Sequence, residues 1–223
     1  MFLPQNWARW PRGPLEECKN SPKMSPHRTK TRHHSEEDSP SILITTSREP
    51  TSRIRALSND LSWTLPNSRR LSRGKSGLNE VASTAIRQGC SRVIMLERWK
   101  TGTCKVLFYS ITAHGLELLP PVLYIKSFTA DHELKRRHSR IPIARSIRLL
   151  GRDESARKFA MFLSRFLRLE LMASHNVQDE SGPTLTVSGN ERGEVEVYVG
   201  TNSVQEGLPL LCVERIVWDS AGA

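Results

Sequence analysis

The sequence predicts an α/β fold made of two fused halves, and three observations predict it. Short apolar runs rich in β-branched residues, such as Ser41-Ile-Leu-Ile-Thr-Thr46, have the length and composition of buried strands. Segments with apolar residues at helical spacing lie between them. The resulting order, β-α-β-α-β-β up to Ile111, is followed from Val122 by a strand, a helix and three more strands. A chain of 223 residues is long enough to bury one large core or two small fused ones. The halves share element types without visible sequence similarity.

The first strand leads into a helix opened by Glu49-Pro50-Thr51. Pro50 suits the first helical position, where a missing N–H leaves nothing unpaired. Ile54, Leu57, Leu61 and Leu65 recur at helical spacing, and Pro66-Asn67 stops the helix. A short strand is expected around Arg70-Leu71-Ser72. Gly74-Lys75-Ser76 then turns into a second helix, with Leu78, Val81, Ala82, Ala85 and Ile86 on one face and Gly89 at its end. Val93–Leu96 and Lys105–Ile111 read as a hairpin with a turn over 97–103.

Val122–Ile125 is expected to open the second half, and a helix to run from about Asp153 to Met172. Ala156, Phe159, Ala160, Leu163, Phe166 and Leu167 form its core stripe, with Arg157, Arg165 and Arg168 on another face. Leu185–Val187, Val195–Val199 and Leu211–Val217 are the closing strands, with Asn190–Gly193 as the turn between the first two. The halves are thus expected at about 40–120 and 121–218, with a short C-terminal tail at 219–223. Residues 1–39, rich in Pro, Ser, His and charge, read as a disordered tail in which Met24 is an alternative start.

Composition narrows the function. No apolar run is long enough to span a bilayer, and the N-terminus has no continuous apolar stretch of the signal-peptide kind. Cys18, Cys90, Cys104 and Cys212 lie far apart, which disfavours a zinc site or disulfide framework and fits reduced thiols. Net charge is +10 and unevenly spread. Residues 41–120 and 121–170 each carry twelve Lys/Arg against five Asp/Glu, whereas 171–223 carry two against eight. Most of the chain would attract a phosphate backbone and its end would repel one. Arg outnumbers Lys by 24 to 9; the planar guanidinium fork suits phosphate and base edges, and GC-rich coding or a hot habitat gives the same excess.

Three segments are candidate contacts. Thr45-Thr46-Ser47-Arg48 lies where a strand ends and a helix begins, the edge at which free N–H groups and the helix dipole favour anions. The same residues also suit a plain turn and helix cap. Arg69-Arg70-Leu71-Ser72-Arg73-Gly74-Lys75 is a basic turn before a helix, which suits RNA phosphate and equally a solvated charged surface. Its Gly74-Lys75-Ser76 resembles the end of a phosphate-binding loop. Arg69 stands where that motif requires its first glycine, so no nucleotide cofactor is expected. Lys135-Arg136-Arg137 and Arg140 read as an RNA-gripping loop or a basic linker. Asp131-His132 is a surface loop rather than part of a triad, and clustered carboxylates for metal-assisted chemistry are lacking. Trp99, at a hairpin tip, is the plausible exposed aromatic for stacking on a base.

Two of these segments carry a family resemblance. Ile42-Leu-Ile-Thr-Thr-Ser-Arg-Glu-Pro50, followed by Ser52-Arg53, resembles the opening signature of the Brix-domain proteins. Leu65-Pro-Asn-Ser-Arg-Arg-Leu-Ser-Arg-Gly74 resembles their second block, at a matching distance, and Tyr124-Ile-Lys-Ser-Phe-Thr129 is similar to a third. The resemblance spans roughly 40–218 and points to the archaeal branch, similar to the eukaryotic member associated with the small-subunit processome.

It implies two α/β halves, each like a class II tRNA-synthetase anticodon-binding domain. It further implies a non-enzymatic role in ribosomal RNA processing, in the cytoplasm for an archaeal protein or the nucleolus for a eukaryotic one. The implied partners are rRNA or pre-rRNA and other assembly proteins, with no cofactor and no membrane. Thr45, Thr46, Ser47, Arg48, Arg70, Arg73 and Gly74 are the family motif residues carried over. Gly207-Leu208-Pro209-Leu210 departs from the eukaryotic glycine-proline-arginine-aromatic pattern, so no arginine contact is implied there. A tRNA-binding module and a protein-interaction scaffold are the alternative readings.

Overall fold

The computed structural model describes residues 42–100, 103–129, 143–172, 182–201 and 210–219. Along the chain the elements are β1 (Ile42–Thr46), α1 (Ser52–Thr64), β2 (Ser68–Arg70), α2 (Leu78–Arg87), β3 (Arg92–Trp99), β4 (Thr103–Thr112) and β5 (Gly115–Phe128). They continue with β6 (Ser146–Leu150), α3 (Glu154–Leu167), β7 (Glu170–Met172), β8 (Pro183–Gly189), β9 (Val195–Thr201) and β10 (Leu211–Val217). All ten strands form one mixed sheet in the order β2-β1-β3-β4-β5-β10-β9-β8-β6-β7.

That order contains a repeat. β1 pairs in parallel with β2 and β3, and then β3, β4 and β5 run antiparallel. β6 pairs in parallel with β7 and β8, and then β8, β9 and β10 run antiparallel. β5 and β10 meet antiparallel at the centre. The boundary expected near residue 120 therefore falls inside β5, and Val122–Ile125 closes the first topological unit instead of opening the second. Pro120-Pro121, which lack ladder donors, lie where the β4–β5 register shifts, between the pairs Phe108–Leu119 and Val106–Leu123.

The period-two alternation of the strands sorts the core onto two faces. On one face α1 and α3 cover Ile42, Ile44, Ile94, Leu96, Val106, Phe108, Leu123, Leu185, Val187 and Val197 in a single apolar cluster that spans both units. On the other, α2 packs Val81 and Ala85 over Leu43 and Val93. Leu78 and Ile86, expected on the packed face of α2, are largely exposed.

Helix ends follow local hydrogen bonding. Thr51 Oγ1 accepts from the N–H of Ile54, so Thr51 is the N-cap and Pro50 precedes the helix instead of starting it. Asp153 Oδ1 accepts from the N–H of Ala156 at 2.7 Å. The α3 helix ends at Leu167, well short of the expected Met172, because Arg168 adopts φ +56° and Ser164 Oγ donates to the Leu169 carbonyl. The chain then enters β7, which periodicity had merged into the helix. Arg92 Nη1 donates to the Phe166 carbonyl at that helix end, where a cation is favoured. Burial and the nearby Arg168 hold the Arg92 pKa below its usual value.

Candidate nucleic-acid interface

Parallel pairing of β2, β1 and β3 brings their C-terminal ends to one sheet edge, beside the N-terminus of α1. A cleft of about 600 Å³ opens there, lined by Arg48, Arg55, Arg70, Arg73 and Arg98 together with Thr46, Ser47 and Gly74. Glu49 is the single carboxylate in its wall. Among the described residues none of the five arginines forms an ion pair. Five guanidinium groups around one opening repel one another, and a polyanion beside them would relieve that repulsion.

Each side chain is placed by identifiable contacts. Arg70 Nε donates to Ser58 Oγ of α1 at 3.0 Å. Arg73 Nε donates to the Ser76 carbonyl at 2.9 Å, and its Nη1 lies 3.5 Å from Met95 Sδ. Arg55 Nη2 donates to the Pro50 carbonyl at 3.1 Å. These bonds orient the arginines while leaving guanidinium donors for a ligand, and Arg48 and Arg98 project at the rim, exposed. Gly74 allows the basic turn because its φ is +57°, a region costly to other residues.

The signature hydroxyls divide by role. Thr45 is fully buried and its Oγ1 donates to the Leu71 carbonyl at 3.0 Å, which pins the segment after β2 against β1. It holds the cleft's shape without facing it. Ser47 N–H donates to the Leu96 carbonyl at 2.8 Å, but Ser47 Oγ is shut off from solvent and has no hydrogen-bond partner among the described residues. An unpaired buried hydroxyl costs about 1–3 kcal/mol. Ser47→Ala is therefore expected to leave the melting temperature of the protein unchanged or slightly raised. A lowered melting temperature, measured by calorimetry, would show that the hydroxyl is paired in solution.

Other expected site residues lie elsewhere. Arg69 points to the opposite sheet face from Arg70, as period two requires, and lies close enough to Cys90 to counter the upward push of burial on that thiol. Lys75 is exposed on the turn beside the cleft but does not line it. Lys135, Arg136, Arg137 and Arg140 lie outside the described residues. Conversely, Arg55 and Arg98 belong to the cleft although neither stands in a basic run. Arg98 lies two residues beyond Leu96, the register partner of Thr46, so only the parallel β1–β3 pairing reveals it.

The topologically equivalent corner of the second unit is built differently. Leu150 pairs with Ser188 as Thr46 pairs with Leu96. Asp153 packs there so tightly that a Cβ on Gly189 would lie 2.5 Å from its own Cβ. One arginine, Arg152, stands beside two carboxylates, Asp153 and Glu154. Among the described residues the basic cleft is thus particular to the first unit, in keeping with the acidic C-terminal part of the chain.

Among the described residues no group of three or more His, Cys, Asp or Glu side chains is placed to share a metal ion, and no helix is long and apolar enough to cross a membrane. Cys90, Cys104 and Cys212 are free, buried thiols. Burial pushes all three upward, Cys104 to about 12, so they stay protonated and weakly nucleophilic at neutral pH.

No family model matches the chain. Over 70 residues it is 39% identical to a protein of Pyrococcus furiosus named probable Brix domain-containing ribosomal biogenesis protein, a match covering 31% of each chain. A protein of the same name from Thermococcus kodakarensis is 36% identical over 70 residues, 31% of this chain and 34% of the relative. The chain thus matches about a third of the length of these curated relatives. The crystal structure of a probable ribosomal biogenesis protein from Aeropyrum pernix superposes with a TM-score of 0.62 at 21% identity, covering 81% of this chain and 97% of that one. That likeness establishes a shared fold.

Proposed function

We propose that the chain is a Brix-domain protein that serves ribosome biogenesis by holding ribosomal RNA or its precursor in the arginine cleft, without catalysing a reaction. The observation that carries this reading is the gathering of Arg48, Arg55, Arg70, Arg73 and Arg98 around one cleft whose wall holds a single carboxylate, Glu49. Guanidinium forks match the oxygens of successive phosphates, and such contacts give affinity without sequence readout. Structured RNA is recognised largely through its backbone and shape, so a rigid basic edge is a suitable receiver. Small-subunit precursors and other assembly proteins are the partners in this reading, met where ribosomes are assembled, which in an archaeon is the cytoplasm. The second unit, acidic at the equivalent corner, is then free to meet a protein.

Crosslinking in cells followed by sequencing of the bound RNA tests the proposal. Enrichment of small-subunit rRNA precursor is expected. Enrichment of tRNA would replace it with the anticodon-binding reading that the half-fold resemblance suggests. Capture of protein partners alone, surviving nuclease, would replace it with a scaffold.

A further inference from the structure

On the sheet face that α2 leaves uncovered, cations and aromatic rings alternate across four strands. Glu97, Lys105, Tyr124 and Arg215 are successive register partners on β3, β4, β5 and β10. Lys105 Nζ lies 4.0 Å from the centroid of the Trp99 ring and 5.0 Å from that of Tyr124. Arg215 covers the other part of the row, its Cζ 4.1 Å from the Tyr124 centroid, and Lys100 Nζ stands 5.8 Å from Trp99. Trp99 meets Tyr124 edge-on at 5.3 Å and remains partly exposed, while Tyr124 is buried beneath its cations. The apolar cluster under this row, Met95, Leu107, Val122 and Tyr124 with Trp99 and Val217 beside it, comes from strands alone.

We infer that this ladder is a second contact for the same polynucleotide, one that takes a single-stranded segment by stacking a base on Trp99 and pairing phosphates with Lys100, Lys105 and Arg215. Three observations favour a nucleic acid. The row and the adjoining Lys100 carry three cations against the one carboxylate of Glu97. Its rings hold those cations in place, so little side-chain freedom is lost when phosphate arrives. It is also continuous with the cleft. Arg98 lines the cleft and Trp99, its neighbour, points to the opposite face, while Arg73 lines the cleft and reaches Met95 of the ladder's apolar bed. A strand leaving the cleft over the end of β3 therefore meets Trp99 first. An acidic peptide would satisfy the cations but would make no use of the indole.

The inference rests on the cleft binding RNA, and its test separates the two. Binding of a 15-nucleotide oligouridylate to the full chain is measured by anisotropy across a salt series, for the wild type and Trp99→Ala. The substitution is expected to weaken binding roughly tenfold with an unchanged salt slope, since no charge is lost. Trp99→Phe should restore most of the affinity, and Trp99→Ala should not alter binding of a duplex of equal length. Equal losses for single strand and duplex, no loss at all, or displacement of RNA by polyglutamate at comparable charge would each overturn the ladder's role. In the case of no loss, a persisting effect of cleft-arginine substitutions would leave the cleft's role intact.

Discussion

Phe159→Ala is expected to destabilise the folded chain by about 3–5 kcal/mol and to do so in one unfolding transition. Phe159 is 1% exposed and among the largest fully buried side chains. It lies on α3, in the second topological unit, yet its cluster includes Ile54, Leu57 and Leu61 of α1 and Ile42 and Ile44 of β1 in the first. Phe162 and Phe166 of the same helix meet Phe108 of β4 edge-on, both at 4.9 Å. Removing the ring leaves a cavity in a core that neither unit owns. Urea unfolding should show a single midpoint shifted downward with an unchanged slope. Two separated transitions, with only one shifted, would mean that the units fold independently.

Much of this architecture was visible in the residues, because period does not depend on context. The core stripe of α3 and the run Ile42–Thr46 appear where their spacing puts them. What stayed hidden was set by contacts distant in sequence. Ser146-Ile-Arg-Leu-Leu150 did not read as a strand because Arg148, a charged residue, is 4% exposed within it. The early end of α3 depends on Arg168 taking a left-handed conformation usually left to glycine.

The site divides in the same way. Thr46, Ser47, Arg48, Arg70, Arg73 and Gly74 lie in two motifs and also line the cleft, so these positions were legible. Arg69 was grouped with Arg70 by adjacency alone, whereas a strand sends neighbours to opposite faces. Arg55 and Arg98 join the cleft only through helix phase and parallel register, which a basic run does not reveal.

Replacing Arg48, Arg70 and Arg73 together by alanine is the substitution expected to affect binding most. Each phosphate contact contributes about 0.7–0.9 to the slope of log affinity against log salt, so three should lower it by roughly 2–3. Affinity near physiological salt should fall at least tenfold. Arg157→Ala with Arg165→Ala, on the exposed side of α3, serves as a control for lost charge. Because Arg70 also holds Ser58, and Arg73 the Ser76 carbonyl, lysine at the same positions and a melting curve distinguish lost contacts from lost structure. The decisive measurement is this salt slope on a small-subunit rRNA fragment. A cleft that grips phosphates predicts a drop of 2–3 in the triple variant and little change in the control. An unchanged slope in a folded triple variant, or an equal drop in the control, would contradict it.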